Sequence, residues 1–478
     1  MKVKPLFEGT GEARMPEGPA LSNLLPHEVC GNVTFHPAGR RLSAFLHPLL
    51  IKNSTLMPGS VAILGAGPAA CTLAALLASR GVPVAVFDDG KRPEMLVGES
   101  LIPAVVPLLR RLGLEERTAA ISQHKPGVSF LHPQAPSIHF NFSPVAPQLP
   151  TYAYNVDRLP FDALLKTRAA ELGARFIPLR AGLVRHAPGA MTELSLDPAA
   201  QDALHAGAPE FRGQAPGLLV DATGRSRLFA RLLGIGAERG PRDDLSHFAH
   251  YQDFGMPSPA GQVLITRLTH GWSWRIPLPG RKMSFGIVLG KEAARAAGAT
   301  AEERLAHCLA HEPLLEEAGR HARRISPCGS YANYQLTSHR SHGAGWAAIG
   351  DAFGFVDPML SSGLFLAMES AAQLDAALAS GRSLRPYDAT MRRWYRDWTR
   401  LIRYFYDGRI FSLYEAGHLM RQNRPHPVQQ QIDRLLNRHI ACMTAGALTK
   451  SRRSQFILGS AARLLIRGVT PPAQLAIQ

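Results

Sequence analysis

The chain has 478 residues, 46% apolar and 19% charged, globular values that suit one large or two ordinary domains with a full core. Its five cysteines (Cys30, Cys71, Cys308, Cys328, Cys442) are odd in number and scattered. They exclude a disulfide framework and zinc-ligand spacing, and they point to a reducing, cytoplasmic compartment. No apolar run approaches the ~18 residues of a membrane-spanning helix, and the N-terminus lacks the charged-then-apolar pattern of a signal peptide. The net charge of +16 includes +12 (17 Lys/Arg against 5 Asp/Glu) in residues 381–478. That charge is either a solvated helical face or a surface for an anionic partner such as an acidic protein; with no nucleic-acid motif beside it, DNA or RNA binding is not inferred.

Residues 1–56 are rich in Pro, Gly and His, with a short apolar stretch only at Ala44 to Ile51. They read as a poorly ordered extension, or as upstream of a translation start at Met57. Residues 61–89 then read strand, glycine turn, helix, strand, acid. The apolar run Val61 to Leu64 enters Gly65-Ala66-Gly67-Pro68-Ala69-Ala70, an Ala/Leu-rich helix follows, and Val84 to Phe87 ends in Asp88. Gly65 permits the tight turn, Gly67 lets the backbone approach a pyrophosphate, and Ala70 lets helix and strand pack closely. The helix N-terminus supplies N–H groups for the phosphates, and Asp88 stands where an acid can reach a ribose hydroxyl. The stretch predicts dinucleotide binding.

Further along come Val97-Gly98-Glu99-Ser100 and a helix to about Leu112. Residues 126–155 are strand-rich, 156–176 form a helix feeding a strand, and 178–220 are expected as β-hairpins closing on Asp221-Ala222-Thr223-Gly224. Residues 245–290 are strand-like and contain Trp272-Ser273-Trp274-Arg275-Ile276-Pro277; Trp272 and Trp274 alternate and so share one strand face. His247, His250 and Tyr251 either line a pocket from their strand or simply pack. A strand at Trp346–Ile349 leads into Gly350-Asp351-Ala352, whose carboxylate either meets a hydroxyl of a bound ligand or caps a helix. The small residues of Pro358-Met359-Leu360-Ser361-Ser362-Gly363 suit a backbone that approaches a flat ring. The last hundred residues are mainly helical, and Tyr404 to Arg409 either close over a substrate or pack helices. The cofactor pieces are far apart in sequence, so a nucleotide domain must be assembled around an inserted β-rich domain.

In this order, GxGxxA, Gly98-Glu99-Ser100, Asp157-Arg158, the DATG at 221–224 and the GDA at 350–352 resemble the FAD-dependent monooxygenases of the aromatic hydroxylase type. Within that superfamily the chain is most similar to the flavin-dependent halogenases over roughly 60–410, on three features. Trp272, Trp274, Ile276 and Pro277 match WxWxIP. Phe355 to Gly363 match FxxPxxSxG. Lys125 stands 26 residues after Glu99, near the family's catalytic lysine.

The resemblance implies an α/β fold: a FAD-binding Rossmann-like domain (57–385, in pieces near 57–125, 156–230 and 325–385), an inserted β-rich substrate domain (near 126–155 and 231–324), and a basic helical region at 386–478. It implies FAD contacts from Gly65, Gly67, Ala70, Asp88, Glu99, Ser100, Arg158, Asp221, Gly224, Gly350, Asp351, Pro358, Ser362 and Gly363. Trp272, Trp274, Ile276, Pro277 and Phe355 are expected along the tunnel between flavin and substrate. No second glycine motif offers a stable NAD(P)H site, which fits FAD reduced by a separate flavin reductase.

The implied chemistry spends reduced FAD and O₂, as a C4a-hydroperoxide, on an electron-rich ring. In the halogenase reading, halide is oxidised and Lys125 relays the halogen to an indole, pyrrole or phenol. The alternative is hydroxylation of an aromatic substrate, including a tryptophan side chain of a partner protein in quinone-cofactor maturation. A flavin reductase resembling geranylgeranyl reductases shares the GDA but lacks the WxWxIP and FxxPxxSxG features.

Overall fold

A computed structural model describes residues 58–422 except 136, 143–148, 188 and 333–334, and beyond 422 short stretches that include 438–442, 444–447 and 471–477. All of these belong to the compact unit Asn53–Gln478; the expected extension at 1–56 and much of the basic C-terminal stretch lie outside the described residues.

The first strand, Val61–Leu64, is wholly apolar and wholly buried, as a strand covered on both faces must be. It lies at the centre of a six-stranded sheet, between Leu218–Asp221 on one side and Val84–Phe87 on the other. Trp346–Ala348 and Arg175–Ile177 extend the sheet in parallel, and His342–Gly343 closes one edge antiparallel. The registers Leu64 to Phe87, Leu64 to Asp221 and Asp221 to Ala348 bring the carboxyl ends of four strands, donated from residues almost 300 apart in sequence, to one line. The carboxyl edge of such a sheet is where ligands bind. The helix Pro68–Ala78, buried along nearly its whole length, and the helix Ser362–Ala379 both rise from this edge.

Sequence distant from that core builds an eight-stranded sheet. Its order is Arg323–Arg324, Asp244–Gln252, Lys282–Gly290, Trp272–Leu278, Val263–Arg267, Gly127–Leu131, Ile138–Asn141, with Gly329–Ala332 also paired to Asp244–Gln252. One face carries Phe130, Val263, Ile265, Trp272, Trp274 and Ile276 toward the cofactor edge. The far face packs Tyr251, Phe254, Phe285 and Leu289 against helices at 291–319.

Helices Arg385–Tyr406 and Arg409–Gln422 cover the end of this sheet that carries Phe130 and Phe140; Phe405 meets Phe130 with ring centroids 4.6 Å apart, and Tyr414 meets Phe140 at 6.3 Å. Among the described residues no helix is long and apolar enough to cross a membrane.

One expectation fails locally. Residues 183–196 form the expected hairpin, but Pro198–Gly207 is helical. Asp197 accepts the Ala200 N–H at 2.8 Å, and Pro198 occupies the first turn, a start signal that outweighs the surrounding turn residues.

Candidate active site

Between the parallel edge and the tryptophan face lies a cavity of about 350 Å³. The glycine turn forms one end. Gly65 has φ +96°, and a Cβ there would stand 2.6 Å from the Ala222 carbonyl oxygen, so its glycine is required by the fold itself. Gly67 differs: it lines the cavity, its φ is an ordinary −76°, and a Cβ would meet nothing within 4 Å. Open space at a residue of the cavity wall is what a backbone cradle for a phosphate needs. The cavity thus offers an uncapped helix N-terminus at Gly67-Pro68, a carboxylate at Asp351 and an apolar slot, a donor set that fits FAD.

The helix Ser362–Ala379 also starts at the cavity. No side chain caps it, and Ser361, Gly363 and Leu364 line the cavity at its first turn. Its free N–H groups therefore face the slot, with the positive end of the helix dipole behind them. Leu360 (φ +67°) and Ser361 (φ +58°) are both held in the left-handed region, which costs roughly 1–3 kcal/mol each for non-glycine residues. Asp357 braces this loop: it is fully buried, and its Oδ1 accepts the Met359 N–H at 2.9 Å.

Asp351 sits in a single helical turn at the end of its strand, lining the cavity. Burial pushes its carboxyl up to about 6, with Arg225 and Arg158 pulling the other way. Arg158 lines the same wall, but its guanidinium is already engaged with both oxygens of Asp162, at 3.0 and 3.1 Å, and with the Val97 carbonyl. Glu99, also lining the cavity, is completely buried; its Oε1 meets His250 Nε2 at 2.6 Å, and its Oε2 has no hydrogen-bond partner. Ser100, Gly224, Pro358 and Phe355 complete the lining expected from sequence, with Trp272, Trp274 and Ile276 on the floor. The two indoles share one face, as alternation requires, with ring centroids 5.9 Å apart.

Lys125 does not line the cavity. It lies one side chain behind it, 2% exposed, with Nζ donating to Ser100 Oγ (2.7 Å) and to the Leu101 carbonyl (2.8 Å), and 5.3 Å from the centre of the Phe142 ring. Burial without a carboxylate partner lowers its amine to about 7. A neutral, nucleophilic amine is therefore present in quantity at neutral pH, next to a residue of the cavity wall.

Other expected contacts hold the walls rather than form them. The Asp221 carboxylate is consumed by its own loop: Oδ1 accepts from Thr223 N–H (3.0 Å) and Oγ1 (2.6 Å), and Oδ2 from Phe229 N–H (2.8 Å). Asp88 is outside the lining. Burial would raise its carboxyl, but the Lys166 ammonium at 2.7 Å and the Gly90 N–H hold it below the ordinary value. Ala70 is buried in helix–strand packing, and Gly350 is pressed against Ala69, where a Cβ would come within 3.1 Å. Ser362 Oγ turns back to the Asp357 carbonyl (3.5 Å), and Pro277 lies on the other strand face.

Sequence reading missed Arg225, Ser246, Tyr331, Val263 and Ile265, all in the lining. Arg225 stacks over Tyr331, 4.5 Å from its ring centre, and directly follows the DATG segment, a signal that was available. Val263 and Ile265 alternate in phase with the indoles they pair beside. Of the three residues weighed on the strand Asp244–Gln252, only His250 reaches the cofactor side. His247 turns away to Ser330 Oγ (2.7 Å) and Arg304 (3.1 Å), and Tyr251 packs on Phe254 and Phe285.

A family model described as tryptophan halogenase matches residues 60–151 and 144–456. The chain is 28% identical over 387 residues to the 1H-pyrrole-2-carbonyl-(peptidyl-carrier protein) chlorinase of Pseudomonas fluorescens, covering 72% of this chain and 83% of that protein. It is 28% identical over 376 residues to the corresponding brominase of Pseudoalteromonas luteoviolacea, covering 74% and 87%. In structure it is similar to the flavin-dependent brominase Bmp2, with a TM-score of 0.67 at 22% identity over 84% of this chain and 98% of that one. A flavoprotein/dehydrogenase from Cytophaga hutchinsonii gives 0.70 at 22% identity over 86% and 99%. At these identities the structural likeness speaks for the fold alone.

Proposed function

From the premise that this chain belongs to the tryptophan halogenase family, whose members are flavin-dependent enzymes, we propose that it is a FAD-dependent halogenase of an electron-rich ring, with Lys125 relaying the halogen. Bound reduced FAD supplies the chemistry that uses O₂ to oxidise halide. The chain's own residues do the rest. Gly67 and the helix start at Pro68 hold the phosphates, Asp351 accepts from the ribityl chain, and the first turn of Ser362–Ala379 faces the ring. Trp272 and Trp274 wall the cavity with apolar surface and would keep water from the oxidised halogen.

The observation that carries the reading is Lys125. A buried amine lowered to about 7 is a nucleophile at neutral pH, and its bond to Ser100 places it against the wall. A hydroxylase, which passes oxygen directly to an adjacent ring, has no need of such a relay. We take the ring to be a pyrrole, indole or phenol presented by an acidic carrier protein. Support comes from the carrier-bound pyrroles named for the two relatives. It also comes from Arg385, Arg396, Arg400 and Arg403, exposed along the helix Arg385–Tyr406 whose buried face closes the substrate end. A separate flavin reductase is the electron source.

The test supplies reduced FAD, O₂, chloride or bromide, and candidate rings both free and carrier-loaded, and reads product mass. Halogenated product from wild type and none from Lys125→Ala, with FAD retained by both, is expected. Oxygenated product from both proteins, indifferent to halide, would overturn the proposal in favour of hydroxylation.

A further inference from the structure

Trp272 carries one polar atom, the indole N–H, and its partner is a residue outside the cavity lining. Its Nε1 lies 3.0 Å from the hydroxyl of Tyr406, the last residue of the helix Arg385–Tyr406. The same hydroxyl lies 3.3 Å from each carboxylate oxygen of Asp357. The direction of these bonds is forced. An indole nitrogen only donates, so the phenol oxygen accepts from Trp272; the phenol's single proton is then left for the carboxylate, which only accepts when ionised. Asp357 in turn accepts from Met359 N–H at 2.9 Å and from Gln335 Nε2 at 3.0 Å, in the segment that carries Pro358, Ser361 and Gly363 to the cavity.

The ring of Tyr406 is fixed from its flat side by the Arg242 guanidinium, 3.9 Å from the ring centre, and Arg242 is anchored by Asp244. All three residues of the chain are deeply buried: Trp272 1%, Tyr406 7% and Asp357 0% exposed. Burial also raises the Tyr406 phenol well above its ordinary value, so the proton the chain requires stays in place.

We propose that Tyr406 is a positioning residue that sets the orientation of Trp272 against the bound flavin and ties that wall to the flavin-facing loop 357–363. The inference rests on the flavin reading of the cavity. The physical reason is that one hydroxyl satisfies two groups which have no other way to meet. The indole belongs to the β-rich floor, the carboxylate to the nucleotide domain, and the phenol to a helix that follows both in sequence. Without it, the indole N–H in a dry site must turn to find another acceptor, and the gap between wall and flavin changes while the phosphate and ribityl contacts stay as they are.

The experiment uses the full chain loaded with FAD. Tyr406→Phe keeps the ring, its stacking on Arg242 and its volume. Indoles quench flavin emission on close approach, so the fluorescence lifetime of bound FAD reports the Trp272–flavin geometry. The expected result is unchanged FAD affinity, a shifted lifetime in Tyr406→Phe, a shifted lifetime in Trp272→Phe, and a double variant indistinguishable from Trp272→Phe alone. A Tyr406→Phe protein that binds FAD with wild-type emission would overturn the inference, as would additive effects of the two changes. Wild type that binds no FAD would instead fail the flavin reading beneath it.

Discussion

Replacing Lys125 by Met tests the energetic cost of the buried amine and its chemical role together. The side chain is of similar length, keeps the apolar stem beside Phe142, and loses the charge and the two hydrogen bonds to Ser100 and Leu101. Burial lowers the folded-state value from 10.5 to about 7. In the unfolded chain Lys125 therefore holds a proton between pH 7 and 10.5 that the folded protein has released. Stability must rise with pH across that window: the contribution is complete above 10.5, is lost progressively as pH falls, and is flat below 7. The slope is about 0.7 kcal/mol per pH unit at pH 7, where the folded amine is half protonated, and climbs to about 1.4, so the interval from 7 to 9 amounts to about 2.3 kcal/mol in the wild type that Lys125→Met lacks. Urea denaturation of both proteins from pH 6 to 9 at fixed ionic strength isolates the term, because other titrations cancel in the difference. The same variant should retain FAD and yield no halogenated ring, and the wild-type rate should rise through pH 7 as the neutral amine appears. If the wild-type and variant stability profiles run parallel across the window, the lysine is not desolvated and the relay argument loses its basis.

The two glycines of the first turn should fail differently. Gly65→Ala forces a Cβ to 2.6 Å from a backbone carbonyl and should cost the fold several °C in Tm, whereas Gly67→Val should melt like wild type yet release FAD on gel filtration. For Asp351, raised to about 6 in the free protein, ribityl hydroxyls that donate to the carboxylate favour its ionised form. FAD affinity measured by fluorescence titration should weaken about tenfold per pH unit below 6, a slope that Asp351→Asn removes; an unaltered slope in the variant would assign it to another group. Asp221→Ala strips acceptors from two backbone N–H groups and one hydroxyl, and should destabilise by about 2–4 kcal/mol in chemical denaturation; Asp221→Asn should regain only part of it, because its single oxygen can accept on one side while its NH2 faces a donor on the other.

The nucleotide half was legible because each of its pieces is local. An apolar run, two glycines and a helix start lie within a few residues of one another at Val61–Ala78, and the physics that makes them a strand and an anion cradle needs nothing from elsewhere. Period-two alternation likewise put Trp272 and Trp274 on one face before any fold was known, and the same rule in Val263 and Ile265 went unused.

What the sequence could not decide was which polar groups have partners to spare, since that depends on neighbours brought from far along the chain. Asp88, at the expected distance after the glycine turn, is taken by Lys166, 78 residues on. Asp221 is spent on its own loop, while Asp351, with equal claim by motif, is left facing the cavity. In the sequence Lys125 is marked only by its position 26 residues after Glu99, which says nothing of its burial. Only the closing of Ser100, Leu101 and Phe142 around its amine removes water and brings the value down to about 7. Desolvation is a property of the whole assembly, and so is the bond from Trp272 to Tyr406, which spans 134 residues and needs the helix Arg385–Tyr406 to fold back over the sheet before it can form.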